Sequence, residues 1–216
     1  MRIASHAPSR SAGLRAWVVC LGCGLALFTV MGLGVNAFTV YQPYLLRVHG
    51  FTNAQGSWIT TVRSLFALLS MLTVDRLCRR LGLRNTMVLG MACFVGSYLL
   101  FGFARGFSAY CGGAVLSGLA YGYGGMIPLT LVISRWFPTG RGFALGMAAA
   151  GSGISTIFAP ALITGAIQAL GLSAAFLWEA AAGGRLTLLV LLWWDSPDCP
   201  ELQRAGDPHP EAGGRG

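Results

Sequence analysis

Residues 74–85 read VDRLCRRLGLRN and place Asp75, Arg76, Arg79, Arg80 and Arg84 together. A carboxylate among guanidinium groups attracts them strongly, and bidentate pairing fixes their orientation. The roles open to such a group are a fixed anchor, a releasable latch, or both. Other ionisable side chains stand apart within apolar runs. Arg63 is one, and a charge inside a bilayer span costs roughly 2.5–3.5 kcal/mol or more on insertion scales. It must face a cavity, pair with a carboxylate, or snorkel to the interface along its own stem. Glu179 is the other, and intramembrane acids can carry protons. It falls six residues before Arg185, too far along a helix for a simple pair.

Other reactive types give weaker patterns. Cys20 and Cys23 form C-x-x-C inside an apolar run, with no His or second pair at ligand spacing. They read as small core residues and not as a metal site. His6, His49 and His209 are scattered. No nucleophile–His–acid set occurs, so an enzyme is not expected. GSG at 151–153 lacks the strand–loop–helix setting of a phosphate cradle, and no G-x-x-x-x-G-K-[ST] is present. No cofactor is expected.

The surrounding elements must position these residues in an apolar medium. The 216 residues are 55% hydrophobic and only 10% charged, with mean hydropathy +0.64. Soluble domains are typically about 25% charged. The composition therefore predicts an integral membrane protein with lipid around it. The formal charge is +8, and every basic side chain except the three His is Arg. These Arg residues occupy short gaps between apolar runs, which fits membrane topology and argues against nucleic acid.

Six runs are long enough to span: about 17–41, 57–75, 85–104, 107–135, 142–165 and 171–194. They are too long and uniformly apolar for barrel strands. The predicted fold is all-α and polytopic, with residues 1–16 as a cytoplasmic N-terminal segment and 195–216 as a disordered cytoplasmic tail. Arg2, Arg10 and Arg15, then the 76–84 group, then Arg135 and Arg141 fall on one side, against Arg47 and Arg105 on the other. The excess puts both termini in the cytoplasm.

Polar and small residues recur at helical spacing on three spans. They are Thr29, Gly32, Asn36, Thr39 and Pro43; Thr60, Arg63, Ser64 and Ala67; and Ser117, Tyr121, Gly124 and Pro128. Such stripes are expected to face the bundle interior or a water-filled cavity. Asn36, Thr39, Arg63, Ser64 and Tyr121 are the candidates to line a pathway. Small-xxx-small spacing at Gly118 and Gly122, and at Gly142, Gly146, Ala149 and Gly153, predicts close helix packing.

Six spans with a basic gap after the second resemble half of a major facilitator superfamily transporter. That family's motif in this gap is roughly G-x-x-x-D-R-x-G-R-R. Here MLTVDRLCRR matches at Asp75, Arg76, Arg79 and Arg80, while Met71 and Cys78 stand where the family has Gly. SRWFPTGRGFALGMAAAGSG (134–153), GVNAFTVYQPYL and AYGYGGMIPL are similar to the monocarboxylate-porter and oxalate/formate-antiporter-like group.

The resemblance implies the N-terminal half of a twelve-helix fold. It implies a gating role for Asp75, Arg76, Arg79 and Arg80 in a cytoplasmic loop, with helices one, two, four and five around a central pathway. It implies secondary active transport of a small organic solute, an organic anion such as a monocarboxylate, by alternating access in the plasma membrane. A coupling ion would supply the energy. The resemblance implies that the chain stops at the half boundary. The chain is read either as working with a second six-helix half or as a homodimer, or as a truncated, non-transporting fragment, subunit or interaction protein.

Overall fold

A computed structural model describes residues 10–137 and 140–194, and among these every regular element is helical. The expected N-terminal residues 1–9 and tail 195–216 lie outside the described residues. The first span comprises α1 (Arg10–Leu27), a π-helical stretch (Phe28–Asn36) and α2 (Ala37–His49). Leu27 and Ala37 keep right-handed helical backbone, so the three run on as one rod. Then come α3 (Asn53–Leu81), α4 (Leu83–Phe103), α5 (Phe107–Gly124), α6 (Met126–Trp136), α7 (Arg141–Leu170) and α8 (Leu172–Trp194).

Five helical runs are long and apolar enough to cross a membrane: Cys20–His49, Asn53–Leu81, Leu83–Phe103, Phe107–Ser134 and Arg141–Leu170. At 23 residues α8 also has the length, though it carries Glu179 and Arg185.

The second span is longer than the apolar run alone indicates. It starts at a capping box: Gln55 N–H donates to the Thr52 hydroxyl, and Thr52 N–H donates to Gln55 Oε1. It continues through the charged residues to Leu81. Asp75, Arg76, Arg79 and Arg80 therefore sit on the final turns of α3, not in a loop. Arg79 and Arg80 occupy the last turn, where cations suit the negative end of the helix. Gly82 alone makes the turn into α4, at φ 83 and ψ 157, a region essentially reserved for glycine.

The fourth span is broken where a continuous helix is expected. Gly125 is extended between α5 and α6. Pro128 has no N–H to return to the carbonyl of Gly124, so the helix cannot carry hydrogen bonding across this point.

Packing joins α5 to α3 and α4, α4 to α8, and α7 to α1 and the π stretch. Two apolar cores result. One gathers Phe38, Tyr41, Phe94, Tyr98, Phe101, Tyr110 and Phe176 with their neighbours. The other gathers Cys20, Cys23, Leu27, Met87, Met91, Leu129 and Ile133 with theirs.

Candidate functional site

The π stretch lies at the boundary of the two cores. Val30 belongs to the second and Leu33 to the first. A π turn displaces backbone carbonyls from their ordinary α-helical partners. Two side chains from other helices meet these carbonyls. Tyr98 on α4 donates its hydroxyl to the carbonyl oxygens of Leu33 (2.9 Å) and Gly34 (3.0 Å). Arg63 on α3 donates from Nη2 to Gly34 O at 3.1 Å.

Arg63 is the eleventh residue of α3, about 15 Å from its start at 1.5 Å per residue. It is 8% exposed. Its guanidinium carbon lies 5.0 Å from the Phe38 ring centroid, which adds a cation–π contact. The Tyr98 and Tyr121 side chains lie within electrostatic reach of it. The snorkelling alternative is therefore corrected: the side chain turns into the bundle, where a carbonyl and an aromatic face receive it. A guanidinium offers five N–H donors.

The other pathway candidates divide. Asn36 ends the π stretch and donates from Nδ2 to Thr156 Oγ1 on α7 at 2.8 Å. Pro160 lies four residues beyond Thr156 and cannot return an N–H to its carbonyl, so this part of α7 is locally polar. Tyr121 on α5 is half-buried on the Arg63 side. Thr39 is exposed and bonds its own helix at Asn36 O. Ser64 is exposed as well. The structure thus joins Arg63 to the π stretch, with Tyr121 half-buried within electrostatic reach, and leaves Thr39 and Ser64 exposed on the surface of the chain.

Toward the charged end of α3 the polar contacts continue. Ser70 donates to Gly118 O at 3.1 Å, and the Thr73 and Tyr123 hydroxyls are 3.0 Å apart. Beyond them Arg79 bonds the Asp75 carboxylate one helical turn away, with both side chains exposed. An exposed i,i+4 pair of this kind is weak in itself.

The glycines divide too. A Cβ on Gly118 would lie 2.8 Å from Phe66 Cβ and 2.9 Å from Ala67 N, and one on Gly122 would collide with Ser70. On α7 the expected ridge is corrected. Gly142, Gly146 and Gly153 meet nothing within 4 Å. The packed face instead carries Ala144, Ala148, Gly151 and Ser155, with Gly151 against Gly24 and Ser155 against Gly32.

Sequence reasoning missed Tyr98, because it lies in the apolar run YLLFGF with no polar stripe around it. It also missed Tyr41, which faces Glu179. Cys20 and Cys23 are buried in the second core, and no group of three or more metal-ligating side chains occurs among the described residues.

A helical bundle with membrane-length spans and a buried guanidinium against the π stretch of the first span defines a polytopic integral membrane protein. The sequence pattern of the Major Facilitator Superfamily matches residues 21–212, and the chain belongs to that family. It is similar to the MFS-type transporter pynF of Aspergillus niger, 26% identical over 197 residues, covering 89% of this chain and 43% of that protein. The MFS-type transporter hasB of Aspergillus fumigatus is 27% identical over 198 residues, 89% of this chain and 43% of that protein. The aspyridones efflux protein apdF of Emericella nidulans is 28% identical over 187 residues, 85% of this chain and 37% of that protein. The chain thus spans about two-fifths of the length of these relatives.

Proposed function

We propose that the chain is one half of a secondary active transporter that moves a small organic solute across the plasma membrane by alternating access. The solute class is an organic anion such as a monocarboxylate, as in the monocarboxylate-porter and oxalate/formate-antiporter-like group. The observation that carries this reading is the buried Arg63 guanidinium on the Gly34 carbonyl. It supports an anion site because a guanidinium matches carboxylate geometry with paired N–H donors. Asn36 would extend the site along the first helix. Both termini would face the cytoplasm, the Asp75–Arg79 end of α3 would gate on that side, and an ion or solute gradient would supply energy without enzymatic chemistry.

The length relation favours a second element to the reading. A chain that spans about two-fifths of the length of these relatives would supply one wall of a pathway. The bare ridge of Gly142, Gly146 and Gly153 on α7 suits close approach by another helix, from a second six-helix half or a second copy. Alternatively, a chain without that partner would be a non-transporting fragment, subunit or interaction protein.

Uptake of a labelled monocarboxylate into proteoliposomes tests both readings. Vesicles holding the chain with a second half should take it up, and Arg63→Ala should lower the apparent affinity at least tenfold. Unchanged uptake and affinity in Arg63→Ala would remove the anion site. Uptake by the chain alone, as a monomer, would remove the need for a second half.

A further inference from the structure

Glu179 plays no part in the pathway described above. It is the eighth residue of α8, about 10 Å along the helix. It is fully buried, and among the described residues the Tyr41 hydroxyl is the one polar group placed toward its carboxyl oxygens. The Tyr41 hydroxyl faces it from α2, is buried as well, and makes no hydrogen bond to any other described group.

Aromatic rings enclose this pair. Tyr41 stacks on Phe176 at 4.1 Å, and Tyr98 and Phe101 complete the wall. Small residues hold α8 tightly to α4: Gly183 lies against the Phe94 ring, and Gly102 lies against Leu177 and Ser173 O.

The charged and titratable groups around Glu179 give it no counter-ion. From α2 there is Tyr41, and from α4 there is Tyr98; Arg63 on α3 donates to Gly34 O and makes no ion pair with Glu179 among the described residues. Cys93 on α4 is half-buried at the edge of the same core. On α1, Arg10 and Arg15 lie near the start, and Cys20 and Cys23 belong to the other core. On α7, Arg141 is the first residue. Arg185, on α8 itself, is exposed. An ionised carboxylate in this place would be desolvated, with one neutral hydroxyl facing it and no cation among the described residues paired to it.

We infer that Glu179 is a proton-binding site whose bound proton keeps α8 seated on α2 and α4, so that the proton leaves only when that seam opens. Releasing it as hydronium leaves a carboxylate, which needs water where the aromatic wall now stands. The inference goes beyond the proposed transport and holds whatever solute is carried. It gives the sixth span a ligand of its own, the proton.

Infrared spectroscopy of the chain in lipid bilayers tests it. Glu179, Glu201 and Glu211 are the only glutamates. Carbon-13 glutamate in a Glu201→Gln/Glu211→Gln background therefore labels Glu179 without altering it. The expected result at neutral pH is an isotope-shifted C=O stretch of a protonated carboxyl, exchanging slowly in deuterated buffer and absent from Glu179→Gln. Isotope-shifted carboxylate bands alone would overturn the proton site. A protonated band that exchanges at once would overturn the closed seam.

Discussion

Arg63 and Tyr98 come from different helices and donate to the same atom, the carbonyl oxygen of Gly34 in the π stretch. One acceptor thus ties α3 and α4 to the first span. The second bond of Tyr98, to Leu33 O, widens the tie to consecutive carbonyls. A wide turn whose carbonyls are met by fixed donors is held at little cost, which is the physical reason it persists in an apolar core.

Removing the Tyr98 hydroxyl leaves the Leu33 carbonyl without that donor and the Gly34 carbonyl with Arg63. Tyr98→Phe should destabilise the chain by about 1–3 kcal/mol, the usual cost of stranding a buried polar group. Chemical unfolding in detergent measures this. A change below about 0.5 kcal/mol, the range of neutral surface substitutions, would mean the carbonyls find other partners.

Gly122→Val should force α3 and α5 apart, because even a Cβ there collides with Ser70. Overpacking of this kind costs about 1–3 kcal/mol. Gly146→Val, on the open ridge of α7, should change the stability of the isolated chain by less than about 0.5 kcal/mol. The two variants share their chemistry, so the comparison of their unfolding midpoints isolates the helix approach.

Gly82→Ala asks a side chain to occupy φ 83, ψ 157 in a one-residue turn. The expected loss is about 1–3 kcal/mol, as for other residues held in glycine-only backbone. Unfolding in the same detergent measures it, and wild-type stability would show that the turn can be remade.

Thiol labelling reports the second core. Cys20 and Cys23 are 2% and 3% exposed. A membrane-permeant maleimide should leave both unmodified in the folded chain and modify them after denaturation, as mass spectrometry of the labelled peptides can show. Prompt labelling of either in the folded chain would contradict the packing of α1 against α7 that buries them.

Asp75→Asn removes an exposed ion pair with Arg79. The unfolding midpoint should stay unchanged, because such a pair contributes little to stability. Under the proposed gating role, uptake by the assembled transporter should fall all the same. Loss of both together would make Asp75 a folding residue instead.

Much of the fold is legible in the sequence. Long apolar runs separated by Arg-bearing gaps give membrane helices because length and hydropathy act locally. The T-x-x-Q capping box at Thr52 moves the start of α3 outward, and its signature is local too. Register is the part that does not show. The polar positions Thr29, Gly32, Asn36 and Thr39 fit one uniform helical period, but the π stretch adds residues to its turns and rotates the helix beyond it. Asn36 consequently meets α7, and Thr39 turns outward. On α7 the ridge of Gly142, Gly146 and Gly153 has regular spacing, yet Ala144 and Ala148, two residues on, face the core. Spacing shows that a face exists; only the neighbouring helices decide which face is used. Tyr98 is illegible for a related reason, because its acceptors are backbone atoms on another span.

The two cores also divide the molecule along the axis of its helices. α4 and α7 each contribute to both, while α8 contributes to the first and α6 to the second. The seam between them is crossed in the first span by backbone that is wound more loosely than an α-helix. Each layer therefore has its own set of packed side chains, and the first span passes between them through the one stretch whose carbonyls are held by side chains of two other helices, at Gly34.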